Sequence, residues 1–224
     1  MKLESMFPRE TTIQHYGKRG ISWHGICIIY RDPHSNELRM RYMDQLIHND
    51  SKQDPAAVLS LMEHELLQIM VDHPHVKVAS FQTDNATTHQ NRFLPVFLCD
   101  ISVSTRVKTV RFIHTETQDG KSLVDAHFAT AMRHLIDYVR RKSIVSCASE
   151  TVEGLSSAGG VPNSSAHLVA LNRERLNELR KIYEDAKPIL AGVLPRWNEI
   201  VFVNSEDLYD SEALLYEYSG LVPL

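Results

Sequence analysis

The chain has 224 residues, of which 43% are hydrophobic and 23% charged. This composition favours a folded domain with one sizeable core and argues against disorder. The formal net charge of −4 excludes a strong positive field over the whole molecule, so any nucleic-acid contact has to be local.

Targeting and redox signals favour an intracellular protein. Three widely spaced cysteines, Cys27, Cys99 and Cys147, form neither a zinc motif nor a disulfide framework. No apolar run has the length of a membrane span, and the first twenty residues lack the apolar region of a signal peptide. We therefore expect a nuclear or cytoplasmic protein that is not secreted and has no membrane partner.

The first part of the chain predicts a hairpin followed by a helix. Residues 21–30 (ISWHGICIIY) are nearly all apolar and indicate a buried strand, residues 32–36 have turn composition, and residues 38–43 alternate as a second strand does. Asp54 and Pro55 are typical of the cap and the first position of a helix, and apolar residues recur at helical spacing after them.

Strands and helices then alternate. Residues 75–83 and 108–114 predict strands, residues 92–101 a short helix, and residues 121–141 a long helix. The stripe expected to face the sheet contains Phe128, Met132, Leu135, Ile136 and Val139. This order predicts an α/β fold in which helices flank a mixed sheet.

A composition change suggests how the chain is divided. Residues 1–142 form the predicted core domain. Residues 143–166 are rich in Ser and Gly and are predicted to be a loop or linker. Residues 167–224 are expected to form a small, mostly helical appendage, with a helix at 168–183, a short strand at 199–203 and an acidic segment at 206–218.

Two carboxylates stand where site residues are often found. Asp84 ends a predicted strand, where α/β folds usually bind ligands, although it could simply cap the turn. Asp125 shares its helix face with Phe128, so a metal or partner would explain an inward carboxylate; the alternative is that it complements the helix dipole. Together they suggest a site for Mg²⁺ or Mn²⁺, metals that prefer oxygen ligands.

The loop before the long helix adds further polar groups. Glu116 and Asp119 offer oxygen donors and Lys121 a cation. Thr115 stands where a P-loop needs its first glycine, so a nucleotide-triphosphate site is rejected. The twelve histidines show no zinc spacing; His89 is kept as a supporting site residue, and His24 also, although a satisfied core histidine is the expected role there.

Several stretches resemble transposase-derived eukaryotic proteins with an RNase H-like domain. The resemblance covers roughly the first 170 residues. It rests on HYGKRGISWHG (15–25), Tyr42-Met43-Asp44 with NDSKQD (49–54), QTDNATTHQN (82–91), FIHTETQDGKSLVDAHFA (112–129) and GGVPNS (159–164). The run at 112–129 is the most specific.

The resemblance implies a DDE/D site. Asp84 would be its second carboxylate, supported by Asn85, and Asp125 or Glu116 the third. The first is expected before residue 1, with Met1–Glu4 as the tail of its strand; neither Glu4 nor Asp44 is expected to replace it. The implied metal is Mg²⁺ or Mn²⁺. The implied partners are DNA, bound weakly without a separate DNA-binding domain, and a second copy in a homo-oligomer.

Three functions remain open at this point. The first is metal-dependent DNA strand cleavage and transfer, in a domain that the missing first carboxylate would inactivate. The second is a degenerate, non-enzymatic transposon remnant or interaction domain. The third is an RNase H-like exonuclease, which would need the same carboxylates but no target joining.

Overall fold

The computed structural model describes residues 1–9, 11–13, 20–50, 52, 54–83, 101, 105–114, 123–141, 143–174, 176–178 and 181. The strands among them are β1 (Lys2–Glu4), β2 (Gly20–Arg31), β3 (Leu38–Ile47), β4 (Val78–Thr83), β5 (Lys108–His114) and β6 (Ser164–Val169). The helices are α1 (Pro55–Asp72), α2 (Leu123–Arg140) and α3 (Ala148–Ser156), followed by a 3-10 turn at Ser157–Gly159. The chain divides into two compact units, 1–53 with 121–171 and 54–120 with 172–224.

The first unit contains a mixed four-stranded sheet in the order β1-β2-β3-β6. The first three strands are antiparallel, and β6 joins β3 in parallel. The hairpin between β2 and β3 turns at Asp32, whose carboxylate accepts hydrogen bonds from the backbone N–H groups of His34 and Ser35. Both bonds lower the pKa of Asp32, and the bond from Ser35 has the larger effect. The hairpin predicted from the sequence is confirmed.

Helices α2 and α3 pack on one face of this sheet. Trp23 and Leu46 are register partners on β2 and β3, and both are fully buried. Because strand residues alternate between faces, the two side chains point into the same core. Helix residues complete that core: Ala131, Leu135 and Val139 from α2 and Ala148 and Leu155 from α3.

Gly25 lets α2 approach the sheet closely. A Cβ at this position would lie 2.6 Å from Cζ of Phe128, a distance that no relaxed carbon pair adopts. Phe128 in turn meets the Trp23 ring edge to face, with centroids 5.0 Å apart. The absence of a side chain at Gly25 therefore fixes where the long helix lies on β2.

The second unit contains α1 and a two-stranded parallel sheet of β4 and β5. Asp54 caps α1 as predicted: its carboxylate accepts the N–H of Ala57, and Pro55 opens the helix. Arg173 Nη1 lies 2.8 and 2.9 Å from the two oxygens of the same carboxylate. In the described segments, no helix has both the length and the apolar character required to cross a bilayer.

The predicted α/β class with a mixed, helix-flanked sheet is confirmed. The prediction of a linker at 143–166 is wrong, because that segment includes α3 and the start of β6, both in the first unit. The segment is predicted to be a linker because its residues are small. In the structure Gly154 is buried, and a Cβ there would lie 2.7 Å from Leu135 Cδ2. Serines and glycines here allow close packing.

The structure also bears on the predicted apolar stripe of α2 and on part of the predicted C-terminal elements. The predicted stripe on α2 is shifted, since Ile136 is 37% exposed while the buried residues are His127, Ala131, Leu135 and Val139. Leu168 lies in β6, and the described residues 173, 174, 176–178 and 181 are helical. The predicted elements at 199–203 and 206–218, and all of 92–101 except Ile101, lie outside the described residues.

Candidate functional site

The core face of the first unit holds a buried carboxylate, that of Asp44 on β3, with no measurable exposure. Trp23 Nε1 donates to its Oδ1 at 2.7 Å, and Ser164 Oγ donates to its Oδ2 at 2.7 Å. Nε2 of His127 lies 3.0 Å from Oδ1 and 2.8 Å from Oδ2. Three strands and one helix therefore meet at a single carboxylate.

The strand registers explain this convergence. Asp44 pairs with Gly25 and Ala166, so Trp23 and Ser164 are diagonal neighbours on the same face. Since a carboxylate only accepts hydrogen bonds, Nε2 of His127 must carry the proton directed at it. We call Asp44, Trp23, His127 and Ser164 the Asp44 network.

Three donors surround the Asp44 carboxylate, and His127 Nε2 faces both of its oxygens. A carboxylate has about four lone-pair sites, and each oxygen here receives two contacts, one of them from His127. The side chains of Asp44 and His127 are each 1% exposed. The arrangement therefore holds the three strands and the helix together.

Tyr42 lies beside the network, on the same face of β3 as Asp44. Its ring stacks on the His127 ring, with centroids 4.2 Å apart and planes 6° from parallel. Burial raises the pKa of the Tyr42 phenol, and the neighbouring Cys27 adds to this effect. Cys27 is the register partner of Tyr42 on β2, so a neutral phenol covers the buried imidazole.

The second unit contains the strand ends after which the sequence predicts site carboxylates. Strands β4 and β5 run parallel, and their last residues, Thr83 and His114, are register partners. Asp84 is the next residue after β4, and Glu116 is the second residue after β5. The positions of Asp84 and Glu116 themselves, and of Asn85, His89, Asp119 and Lys121, lie outside the described residues.

Asp125 differs from its prediction. It lies in the first turn of α2 and is exposed, so the expectation that it faces the sheet is wrong. Helical spacing places Asp125 beside Phe128, but the buried stripe begins at His127 and is rotated away from Asp125. Its position still complements the positive end of the helix dipole. Its predicted convergence with Asp84 stays a prediction.

Two further ionisable residues can be located. His24 is half-buried on β2, in register with the buried Gln45. Glu65 of α1 is buried, and burial raises its pKa from 4.5 to about 8. Among the residues that the structure describes, no group of three or more His, Cys, Asp or Glu side chains is arranged to hold a metal ion.

The partners of Asp44 are not among the residues predicted from the sequence. Two signals were present: His127, Ala131, Leu135 and Val139 recur at every fourth position, and Tyr42, Asp44 and Leu46 alternate along β3. A histidine at the start of the buried stripe of α2 and an aspartate in the buried row of β3 are compatible with a buried pair. Which residues are in contact depends on the strand register and on how the helix packs. Searches against protein-family models, curated proteins and solved structures gave no match to the chain.

Proposed function

We propose that the chain is a transposase-like domain of RNase H-like fold, whose chemistry is metal-dependent cleavage and transfer of DNA strands. The observation that carries the proposal is the paired end of β4 and β5. Thr83 and His114 are in register, and an acidic residue follows each of them within two positions. Ligands of α/β folds bind at this carboxyl edge.

The order of the strands supports the RNase H-like part of the proposal. Three antiparallel strands come first, α1 follows, and the parallel pair β4–β5 comes next, before α2. The resemblance of residues 15–25, 82–91 and 112–129 to transposase-derived proteins points the same way. The parallel addition of β6 to β3 is a feature that the resemblance does not explain.

The donors at this edge suit a hard divalent cation. Carboxylate oxygens are the ligands that Mg²⁺ prefers, and Mn²⁺ accepts the same set. Asp84 and Glu116 would hold the metal. When bound, such ions activate a water or a 3′-hydroxyl and stabilise the leaving oxygen of a phosphodiester.

The test is a nicking assay on the purified full chain with closed circular DNA and Mg²⁺ or Mn²⁺. If the carboxylates of this chain suffice for catalysis, the wild type nicks the circles and Asp84→Asn and Glu116→Gln do not, because an amide is a weaker metal ligand than a carboxylate; if the first carboxylate is required, the wild type leaves the circles intact. Asp137→Asn is the matched control, since Asp137 is exposed on α2 and forms an ion pair with its helix neighbour Arg140. Nicking that survives Asp84→Asn would overturn the proposal.

A second substrate separates the exonuclease alternative. An exonuclease shortens end-labelled single strands and leaves closed circles intact, whereas a transposase-like enzyme cuts both. Degradation restricted to free ends would assign the site to the exonuclease class, with the same dependence on Asp84.

The Asp44 network favours a second candidate, a non-enzymatic transposon remnant that acts as an interaction domain. The carboxylate that the sheet presents to its core accepts hydrogen bonds from Trp23, His127 and Ser164, and this contribution to packing would persist without catalysis. This candidate predicts a folded protein that leaves circles and free ends intact with both metals. Nicking lost in Asp84→Asn would exclude it.

A further inference from the structure

Helix α2 ends at a run of three cationic residues followed by a serine. Arg140 is the last residue of the helix, and Arg141, Lys142, Ser143 and Ile144 come next in the sequence. The chain as a whole has a net charge of −4, so this run is a local departure from its overall charge. We call residues 140–144 the RRKSI segment.

The RRKSI segment is anchored on both sides and is accessible between the anchors. On one side, Arg141 N–H still donates to Tyr138 O in the last turn of α2, at 3.1 Å. On the other side, Val145 is fully buried and exchanges two backbone hydrogen bonds with Met6. Ser143 and Ile144 belong to neither a helix nor a strand. An enzyme can therefore draw them into an extended conformation without opening the core.

The order of the side chains matches the charge pattern that one class of kinases selects. Kinases discriminate among substrates partly by charge, and those with an acidic groove accept a serine that follows two arginines and precedes an apolar residue. Arg140 and Arg141 stand three and two residues before Ser143, and Ile144 follows it directly. Guanidinium groups pair with carboxylates in a specific, two-pronged geometry.

The exposure of these side chains suits such a partner. Arg140 and Arg141 are both exposed, and Ile144 exposes 45% of its surface although it is apolar. Arg140 lies 3.2 Å from the carboxylate of Asp137, in an ion pair whose two side chains are more than half exposed. Exposed pairs of this kind contribute little, so Arg140 can exchange Asp137 for a carboxylate of the kinase.

We propose that Ser143 is phosphorylated by a serine kinase with an acidic substrate groove, and that the phosphate weakens the packing of α2 against α3. In the reaction, Ser143 Oγ attacks the γ-phosphorus of ATP, the bond from that phosphorus to the β,γ-bridging oxygen breaks, and ADP leaves. The hydroxyl proton passes to a carboxylate of the kinase. The side chain thereby gains a charge of about −1.5 to −2. This inference is independent of the proposed function.

The effect on packing follows from the position of Tyr138. Its ring lies against α3, because a Cβ built on Gly154 would be 3.1 Å from Tyr138 Cδ1. Burial raises the pKa of the Tyr138 phenol, the nearby Glu153 raises it further, and the Ser143 hydroxyl lowers it. Both Glu153 and Ser143 therefore lie close to the phenol. A phosphate on the half-buried Ser143 places like charge beside Glu153 and has to turn toward solvent, so Tyr138 loses a neighbour.

The site is tested by incubating the purified full chain with ATP, Mg²⁺ and the catalytic subunit of cAMP-dependent protein kinase, a kinase of this class. Peptide mass spectrometry should find the phosphate on Ser143, and Ser143→Ala should remove it. Arg140→Ala and Arg141→Ala should each lower kcat/KM by roughly tenfold to a hundredfold, the contribution of one charge-assisted hydrogen bond. Arg133→Ala is the matched control, because Arg133 is exposed on the same helix, ten residues before Ser143, and should leave kcat/KM unchanged.

Three results would overturn the assignment of the site. These are an unmodified Ser143, equal kcat/KM for Arg140→Ala and Arg133→Ala, and a phosphate that appears on Ser143 only after the chain has been unfolded in urea. Circular dichroism before the reaction confirms that each variant is folded.

A second measurement tests the effect on packing. The phosphorylated chain should unfold at a lower urea concentration than the unmodified chain and than Ser143→Ala, because only the phosphate adds charge beside Glu153. Glu153→Gln removes that like charge, so phosphorylation should lower its unfolding midpoint less. A phosphorylated chain with the same midpoint as the unmodified chain would overturn the proposed weakening.

Discussion

Replacing Asp44 by alanine is the sharpest test of how the first unit is held together. The change removes the acceptor that serves Trp23 Nε1, His127 Nε2 and Ser164 Oγ at 2.7 to 3.0 Å. All of these groups lie around a carboxylate that is 1% exposed, so water cannot readily replace it. Breaking a buried pair by removing one partner costs about 3–5 kcal/mol.

That loss is a large part of the stability of an ordinary domain, roughly 5–15 kcal/mol. Asp44→Asn keeps one acceptor oxygen and the side-chain shape, so we expect a smaller loss of about 1–3 kcal/mol. Asp137→Ala is the control: it removes an exposed partner of Arg140, and the change should stay within about 0.5 kcal/mol.

The assay is urea denaturation followed by circular dichroism, with the free energy of unfolding taken from the midpoint and the slope. Tryptophan fluorescence adds a local readout, since Trp23 loses its hydrogen bond in Asp44→Ala. If Asp44→Ala unfolds at the same urea concentration as Asp137→Ala, the network does not stabilise the fold and the reasoning is refuted.

Two further perturbations test burial and close packing. Burial raises the pKa of Glu65 from 4.5 to about 8, so its contribution to stability is fully present below pH 4.5 and is lost as the pH rises through about 8. The free energy of unfolding should be measured against pH for the wild type and for Glu65→Gln. Between pH 4.5 and about 8, the difference between the two proteins should change by about 1.4 kcal/mol per pH unit. Parallel pH profiles would contradict this expectation. Gly25→Ala places a Cβ 2.6 Å from Phe128 Cζ and should destabilise the protein by about 1–3 kcal/mol. Adding Phe128→Leu should partly relieve this loss. If the effects of the two substitutions on the free energy of unfolding are additive, the two residues do not clash.

Local patterns predicted the elements well where one physical rule dominates. Asp54 and Pro55 identify the start of α1, because a cap side chain and a residue lacking N–H fit only that position. The β2–β3 hairpin follows from an apolar run beside turn residues with Asp32 at their head. Such signals involve neighbours in sequence, so they can be recognised without knowing the tertiary structure.

Predictions that depended on long-range packing were less accurate. The segment 143–166 is predicted to be a linker because it is rich in small residues, yet Gly154 packs against Leu135 of α2. The same limit applies to Asp44, whose partners His127 and Ser164 are 83 and 120 residues away in sequence. Phe128 and Met132 are partly buried, so helical spacing from these two residues predicts that Asp125 also faces inward. The fully buried stripe begins at His127 instead, two residues after Asp125.

We propose that Asp84 and Glu116 bind a divalent metal at the paired ends of β4 and β5. The most direct measurement replaces Mg²⁺ by Fe²⁺ and generates hydroxyl radicals, which cut the polypeptide beside the bound ion. We expect cuts close to both residue 83 and residue 115, suppressed by excess Mg²⁺ and absent in Asp84→Asn. Cuts at one strand end only, or cuts that persist in Asp84→Asn, would contradict it.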